Sequence, residues 1–403
     1  MERSIRCWDC GREVDDPYFD SCPSCNGLLE VVLDLEPVKE LRPSDLASRP
    51  LGVWRYQPFL PVNPDLAVSL QEGGTPLYRC MNLAPELGVR ELHVKYEGAN
   101  PTGSFKDRGM TVGITRAREI GADMVGCAST GNTSASLAAY AAKAGMGCVV
   151  LLPEGKVALG KLAQAMFYGA KVVSIEGNFD DALRTVRELA EKRFLYLLNS
   201  INPFRPEGQK SVLFEIMDQL YYDVPDRIVL PVGNAGNISA VHKALKELVE
   251  VGWIERMPML TGIQASGSMP LVEAFDRGSK DFTAESAPET LATAIRIGNP
   301  VSGRKALEAI YSTGGHALPV TDEEILAAQM ELGRREGVGV EPASAASIAG
   351  LRRLIEEGIV DRDEKVVCIC TGNALKDPEV MISQCDRPVK SRATAESVMD
   401  LVR

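Results

Sequence analysis

The sequence predicts an α/β protein of two parallel-sheet domains, with a small cysteine-rich unit in front of them. Three observations predict it. From about residue 71 onward, short apolar runs alternate with helical patterns, the order that places helices on both faces of parallel sheets. Several of these runs end in polar, glycine-containing loops that open helices or turns, at 129–134, 233–237 and 371–376, where such sheets bind their ligands. Two Cys-x-x-Cys pairs stand within the first 35 residues.

At 403 residues the chain is long enough for two or three cores. Its composition, 25% charged and 45% hydrophobic, is that of an ordinary globular protein. A formal net charge of −11 argues against non-specific nucleic-acid binding, which needs basic surface. No run of about 18 apolar residues occurs, so no membrane span is expected. Met1-Glu-Arg-Ser-Ile-Arg6 has no apolar signal-peptide core. The ten cysteines therefore read as thiols or metal ligands in a reducing, cytoplasmic setting.

In chain order, Cys7-x-x-Cys10 and Cys22-x-x-Cys25 come first, separated by 11 residues and each followed by a glycine, Gly11 and Gly27. Four thiolates suit Zn²⁺ in a closed tetrahedron. A redox pair would present one such motif at a helix start, so two matched motifs favour a metal, with iron the other candidate. A unit this small has little core, and metal binding would supply its folding free energy. With all four ligand positions filled, the metal is structural. This segment, 1–35, resembles a zinc ribbon. Residues 36–70 hold Pro37, Pro43, Pro50, Pro58, Pro61 and Pro64; they read as a linker wrapping the body, with at most one short helix near 43–48.

The alternation then follows. Strands are expected at 91–97, 124–128, 147–152, 171–175, 228–231, 260–264 and 366–370. Helices are expected at 107–119, from the 129–134 loop to Ala144, at 159–168 before Gly169, and at 180–191 after Asn178.

Four of the connections carry chemistry. Asn100-Pro-Thr-Gly-Ser-Phe-Lys106-Asp-Arg-Gly109 presents a lysine behind a turn fixed by Pro101 and Gly103. A lone lysine among polar residues is ordinarily a surface lysine, and only its company sets this one apart. Gly233-Asn-Ala-Gly-Asn237 follows the apolar run Ile228–Val232. Its glycines let the backbone approach an anion, and the helix it opens offers unpaired N–H groups; a plain strand-to-helix turn is the bland alternative. Ser129-Thr-Gly-Asn-Thr-Ser134 sits at a similar junction, where capping and anion binding use the same donors. Asn199-Ser200-Ile-Asn-Pro-Phe-Arg205 adds an arginine, whose fork matches phosphate oxygens; the alternative is a surface loop.

Together these stretches resemble the fold-type-II enzymes dependent on pyridoxal 5′-phosphate, with a tryptophan synthase β-like fold. Within that group, residues 71–380 are most similar to the threonine synthase family. Pro153–Ala165, Ala294–Pro300 and Val340–Ala346 carry the narrower likeness. The resemblance implies pyridoxal 5′-phosphate as cofactor and Lys106 as its Schiff-base lysine, which also moves protons at the substrate's Cα and Cβ. Gly233, Asn234, Ala235, Gly236 and Asn237 would hold the cofactor phosphate. Asn132 would meet its 3′-oxygen. Thr371 would lie beside the pyridine nitrogen, where a hydroxyl does not keep the ring protonated. Ser129, Thr130 and Thr133 would grip the substrate carboxylate, and Asn199, Ser200 and Arg205 its phosphate. The partner is then a small phosphorylated amino acid, O-phospho-L-homoserine, converted with water to L-threonine and phosphate.

A large domain of 71–98 and 198–390, a small mobile domain of 99–197, a tail at 391–403 and a homodimer complete the expectation. Cysteate synthase and threonine or serine dehydratase remain alternatives, with a non-catalytic zinc-bearing scaffold as the reading from another class. A nucleotide-binding spacing at Gly155 to Lys161 fails because Leu162 stands where a hydroxyl should bind Mg²⁺.

Overall fold

The computed structural model describes residues 3–155 and 159–402. Lys156, Val157 and Ala158, part of the Pro153–Ala165 stretch, lie outside the described residues.

A six-stranded sheet has the order Ala317–Val320, Met259–Ala265, Arg227–Pro231, Lys365–Cys370, Glu91–Tyr96, Leu77–Arg79. The first five run parallel, and the short edge strand Leu77–Arg79 is antiparallel to its neighbour. Successive residues of a strand face opposite sides, and both sides here are apolar. Ile228, Leu230, Val367 and Ile369 pack under the helix Gly236–Glu250. Val229, Val366, Cys368 and Cys370 pack against the helix Pro342–Glu356. That double burial is why these strands read as continuous apolar runs rather than alternating ones.

A second, four-stranded parallel sheet has the order Lys171–Ile175, Gly147–Pro153, Met124–Ala128, Tyr196–Leu197. One face is covered by the helices Lys106–Glu119 and Asn132–Ala144, through Met110, Ile114, Leu137 and Ala141 against Val125 and Cys127. The other face packs on Ala182, Val186 and Ala190 of the helix Phe179–Glu191. Asn178 caps that helix through Asp180 and Asp181, as its sequence position predicts.

The expected elements lie within one or two residues of those observed. The structure adds strands at Arg3–Cys7, Leu29–Leu33, Leu77–Arg79, Tyr196–Leu197 and Ala317–Val320. It also changes the picture of residues 36–70, which contain two α-helical turns, Glu36–Lys39 and Pro43–Leu46, and two 3-10 segments, Val53–Phe59 and Pro64–Leu66. Pro37, Pro43 and Pro64 sit in first turns, where a missing N–H has no cost. Tyr56 and Phe59 are buried with ring centroids 5.3 and 4.7 Å from Phe214, so this segment builds core as well as connecting.

The N-terminal unit is an antiparallel pair, Arg3–Cys7 with Leu29–Leu33. It touches both sheet systems. Asp16 and Asp20 pair with Arg193 (2.9 Å) and Arg187 (3.2 Å), and Tyr18 lies edge-on to Tyr196. On the other side Glu30 pairs with Lys305 (2.9 Å) and Asp9 with Arg304 (2.5 Å), while Trp8 lies under both cations.

Candidate active site

Lys106 opens the helix Lys106–Glu119 just beyond the strand Glu91–Tyr96. Gly103 turns the chain with φ of 84°, a left-handed angle that glycine adopts freely. The Phe105 N–H donates to the Thr371 carbonyl and the Asn373 N–H to the Gly103 carbonyl, both at 2.9 Å. The lysine turn and the Thr371 loop are thereby laced together. Asp107 secures the turn from within, accepting from the Thr102 N–H (2.7 Å) and from the hydroxyls of Thr102 and Ser136 (2.6 Å each).

The Lys106 amine has no hydrogen-bond or ion-pair partner among the described residues and lies 4.2 Å from the Phe105 ring centroid. Burial drives its pKa down to about 7; the Arg205 charge adds to the fall and Glu341 opposes it. A large part of this amine is therefore neutral, and nucleophilic, near neutral pH.

The Gly233–Asn237 loop leaves the strand Arg227–Pro231 and enters the helix Gly236–Glu250. None of the N–H groups from Gly233 to Ile238 finds an acceptor among the described residues. Ala235 is left-handed at φ 64°. The Asn237 amide is buried with neither its nitrogen nor its oxygen bonded. Free N–H groups at a helix start beside an orphaned amide fit a phosphate group. Gly233 itself is required by packing, since a Cβ there would lie 2.9 Å from Ile295 Cα. The side chain of Asn234 is engaged elsewhere, donating to Ser200 Oγ (2.6 Å) and accepting from the Val301 N–H (2.6 Å).

Arg205 starts the helix Arg205–Gln209 and is 1% exposed. Among the described residues its guanidinium makes one hydrogen bond, a long one to the Leu198 carbonyl (3.4 Å), and Nε and Nη2 are unpartnered. Burial brings its pKa down to about 10. A buried guanidinium with open donors and no carboxylate beside it is a site prepared for an anion. Ser200 Oγ accepts from Asn234 Nδ2 and donates to no group among the described residues. Asn199, in contrast, is held by the backbone of Ala128, accepting its N–H (2.9 Å) and donating to its carbonyl (3.0 Å). Its amide thus fixes the start of the Ser129–Ser134 loop. In that loop Thr130 and Thr133 are half-buried, and Ser129 Oγ accepts from the Gly131 N–H (3.3 Å).

The structure brings Asn132 and Thr371 together through a residue to which the sequence reading gave no role. Glu341 accepts from Asn132 Nδ2 (3.0 Å) on one oxygen and from Thr371 Oγ (2.9 Å) on the other. It is 2% exposed. The Val340–Ala346 stretch contained it, but a glutamate before proline reads as the start of a helix, which it also is.

A cavity of about 270 Å³ borders Ser200 and Gly236 and runs between the strand Leu29–Leu33 and the helix Gly236–Glu250. Its walls include none of Lys106, Asn132 or Thr371. The convergence of the loops, rather than this cavity, locates the candidate site.

At the N-terminus the sulfurs of Cys7, Cys10, Cys22 and Cys25 all lie within 4.8 Å of one another. Cys7 and Cys25 are 3.4 Å apart and Cys10 and Cys22 3.7 Å. A zinc tetrathiolate with bonds near 2.3 Å has sulfur–sulfur edges of about 3.8 Å, so the set fits a metal of this kind. The Cys10 and Ser24 N–H groups point at Cys7 and Cys22 sulfur (3.5 and 3.4 Å).

A free cradle of N–H groups, a lysine with a depressed pKa and an arginine kept open for an anion define an enzyme that uses a phosphorylated carbonyl cofactor. The pyridoxal-phosphate dependent enzyme family matches residues 68–372, and the chain belongs to that family. A threonine synthase from Methanocaldococcus jannaschii is 62% identical over 388 residues, covering 96% of each chain. One from Methanosarcina acetivorans is 56% identical over 399 residues, covering 99% of this chain and 98% of its own. Among solved structures, a threonine deaminase isoform from Solanum lycopersicum shares the fold with a TM-score of 0.67 at 22% identity, over 83% of this chain and 96% of its own. Maize serine racemase does so at 0.64 and 20%, over 77% and 91%. The fold is that of the fold-type-II pyridoxal-phosphate enzymes. Among the described residues no helix is long and apolar enough to cross a membrane.

Proposed function

We propose that the chain is a threonine synthase, converting O-phospho-L-homoserine and water to L-threonine and phosphate. The observation that carries the reading is Arg205, buried, without a carboxylate partner among the described residues and close enough to depress the Lys106 amine. A dehydratase acting on an unphosphorylated amino acid has no use for such a group. The relatives bearing that name at 62% and 56% identity support the same conclusion.

Lys106 would anchor the cofactor, whose phosphate the N–H groups of 233–237 and the Asn237 amide would hold. When bound, pyridoxal phosphate supplies an electron sink for charge developing next to the substrate amine. Asn132 and Thr371 would meet the ring, at its 3′-oxygen and nitrogen. Ser129, Thr130 and Thr133 would take the substrate carboxylate. Lys106, partly neutral near pH 7, would accept the protons leaving Cα and Cβ and return protons to Cγ and Cα. The Cγ–O bond breaks as phosphate departs, and water adds its O–H to Cβ while its other proton goes to the released phosphate. Arg205 and Ser200 hold the phosphate and stabilise its charge as the bond breaks, while Asn199 keeps the carboxylate loop in place. The division into domains of 71–98 with 198–390 and of 99–197, closing on substrate, belongs to the same reading. So do a structural Zn²⁺ on Cys7, Cys10, Cys22 and Cys25, a cytoplasmic location and a homodimer.

The test supplies purified, cofactor-loaded protein with O-phospho-L-homoserine, and separately with O-phospho-L-serine plus sulfite. Threonine and phosphate formed one for one from the first substrate are expected. Cysteate from the second, without threonine from the first, would replace this reading by a β-replacement on the same scaffold.

A further inference from the structure

The loop 233–237 and Arg205 stand on two helices that pack against each other. The loop opens the 15-residue helix Gly236–Glu250, whose Ile238, Val241, Ala244, Leu245 and Leu248 are set in the core. Arg205 opens a helix of five residues, Arg205–Gln209, which leads through Lys210 into Ser211–Gln219. The first residues of a helix lack intrahelical partners for their N–H groups, so ties from outside decide where Arg205 stands. Against the helix Lys106–Glu119 the contact is backbone packing at Gly109 and Gly208. Against the helix Gly236–Glu250 the tie is ionic.

Glu207, two residues after Arg205 and 1% exposed, is its centre. One oxygen accepts from Lys243 Nζ, and the other from Lys210 Nζ at 2.7 Å. Lys210 also donates to Glu247 at 2.8 Å. Lys243 and Glu247 belong to the helix Gly236–Glu250. Two acids and two lysines thus fasten the turn that carries Arg205 to the helix that begins at the 233–237 loop. Burial would raise the Glu207 carboxyl, but Lys210 and Lys243 outweigh it and hold it below the usual carboxylate range. Burial would lower the Lys243 amine, but Glu207 and then Glu247 outweigh it and raise it. Both partners of the link are charged at neutral pH.

The N-terminal unit completes the link. The Val31 carbonyl, in the strand Leu29–Leu33, accepts another Lys243 Nζ proton at 2.5 Å. An ammonium has three protons to give; with Glu207 and Val31 served and Glu247 3.9 Å away, this one is committed to protein groups. Val31, with Ile5 and Leu33, also packs in the apolar cluster that buries Phe204, the residue before Arg205. The strand begins four residues after Cys25, so the four-cysteine set reaches Arg205 through Val31 and Lys243.

We propose that Lys243 is a positioning residue for the substrate's phosphate. Through Glu207 it holds Arg205 at a fixed spacing from the loop 233–237, and the N-terminal unit serves the site by supplying the Val31 acceptor. The inference rests on the reading that Arg205 binds that phosphate.

Calorimetric titration of the holoenzyme with inorganic phosphate tests it, beside the visible absorbance of covalently held cofactor. Misplacing a positioned group by about 1 Å costs up to about 10²-fold, so Lys243→Met should weaken phosphate binding by about 10-fold or more and leave the absorbance unchanged. The KM for O-phospho-L-homoserine should rise with it. Lys243→Arg, which keeps the charge and the donors, should restore the wild-type affinity. Affinity unchanged in Lys243→Met but lost in Arg205→Met overturns the inference and leaves Arg205 in its role. Equal affinity in wild type and Arg205→Met, or no binding by wild type, removes Arg205 from the phosphate and the inference with it. Absorbance lost together with phosphate in Lys243→Met, or no recovery in Lys243→Arg, makes Lys243 a support of the whole fold and overturns the positioning role. If Lys243→Met does not fold, Lys243→Gln, which keeps an N–H donor but no charge, is read by the same outcomes.

Discussion

Arg108 and Arg205 are both fully buried, and their helices lie against each other. The contact is backbone to backbone: a Cβ on Gly109 would fall 2.9 Å from the Arg205 carbonyl, and one on Gly208 would fall 1.8 Å from the Arg108 carbonyl. Their electrostatic surroundings are opposite. Arg108 bonds Glu97 through Nε (2.5 Å) and Nη2 (2.8 Å), Glu215 through Nη1 and Nη2 (2.8 Å each), and Ser211 and Thr75 besides (3.1 Å each). Burial alone would lower its pKa, but Glu215 and Glu97 outweigh burial and raise it. Arg205 has one distant carbonyl and two open donors. One arginine closes its network and braces the helix that begins with Lys106. The other leaves its network open, an arrangement suited to an anion.

Substitutions at three positions separate these roles. Lys106→Ala should abolish turnover and the visible absorbance of covalently held cofactor, while leaving the fold intact by circular dichroism. Arg108→Met leaves Glu97 without its cation and Glu215 with Lys95 alone (2.8 Å), and a buried pair broken on one side costs about 3–5 kcal/mol; urea denaturation of the apoprotein measures it. Arg205→Met should leave that stability unchanged or raised. It should reduce kcat/KM for the phosphorylated substrate by about 10²–10³, the usual effect of losing a donor to a developing oxyanion. Equal destabilisation by the two methionines would erase the distinction between the two arginines.

The smallest effect is on pH. The neutral form of Lys106 captures the cofactor, so the capture rate of the apoprotein should rise with pH through about 7 and level off above it. Burial, and then the positive charge of Arg205, depress this pKa. Arg205→Met removes the second cause and should move the inflection to higher pH. An inflection that moves down, or stays in place, would mean that the two side chains do not sense each other.

The strands and the loops that end them were legible because their signals are local: a buried apolar run, then glycines and hydroxyls at a helix start. Arg205 was legible as a residue suited to phosphate. That its guanidinium meets one distant carbonyl and no carboxylate among the described residues was not, because solitude is a property of the packed structure. The same holds for Asn199 and Asn234, whose amides are held by Ala128, Ser200 and Val301. Glu341 was missed for a related reason: it joins Asn132 and Thr371, which lie 209 and 30 residues away, while its immediate neighbours suggest a helix start. Residues 36–70 misled through composition, since prolines mark turns whether or not Tyr56 and Phe59 between them are buried. The paired cysteine motifs were plain in the sequence. The acids that dock their unit onto Arg187, Arg193, Arg304 and Lys305 read there only as surface charge.

The central claim is that Arg205 holds a place for the phosphate of a second molecule beside the bound cofactor. Thermal melting of the holoenzyme with and without inorganic phosphate, for wild type and Arg205→Met, tests it most directly. Phosphate should raise the melting temperature of wild type and leave that of Arg205→Met unmoved; an equal rise in both proteins would contradict the claim.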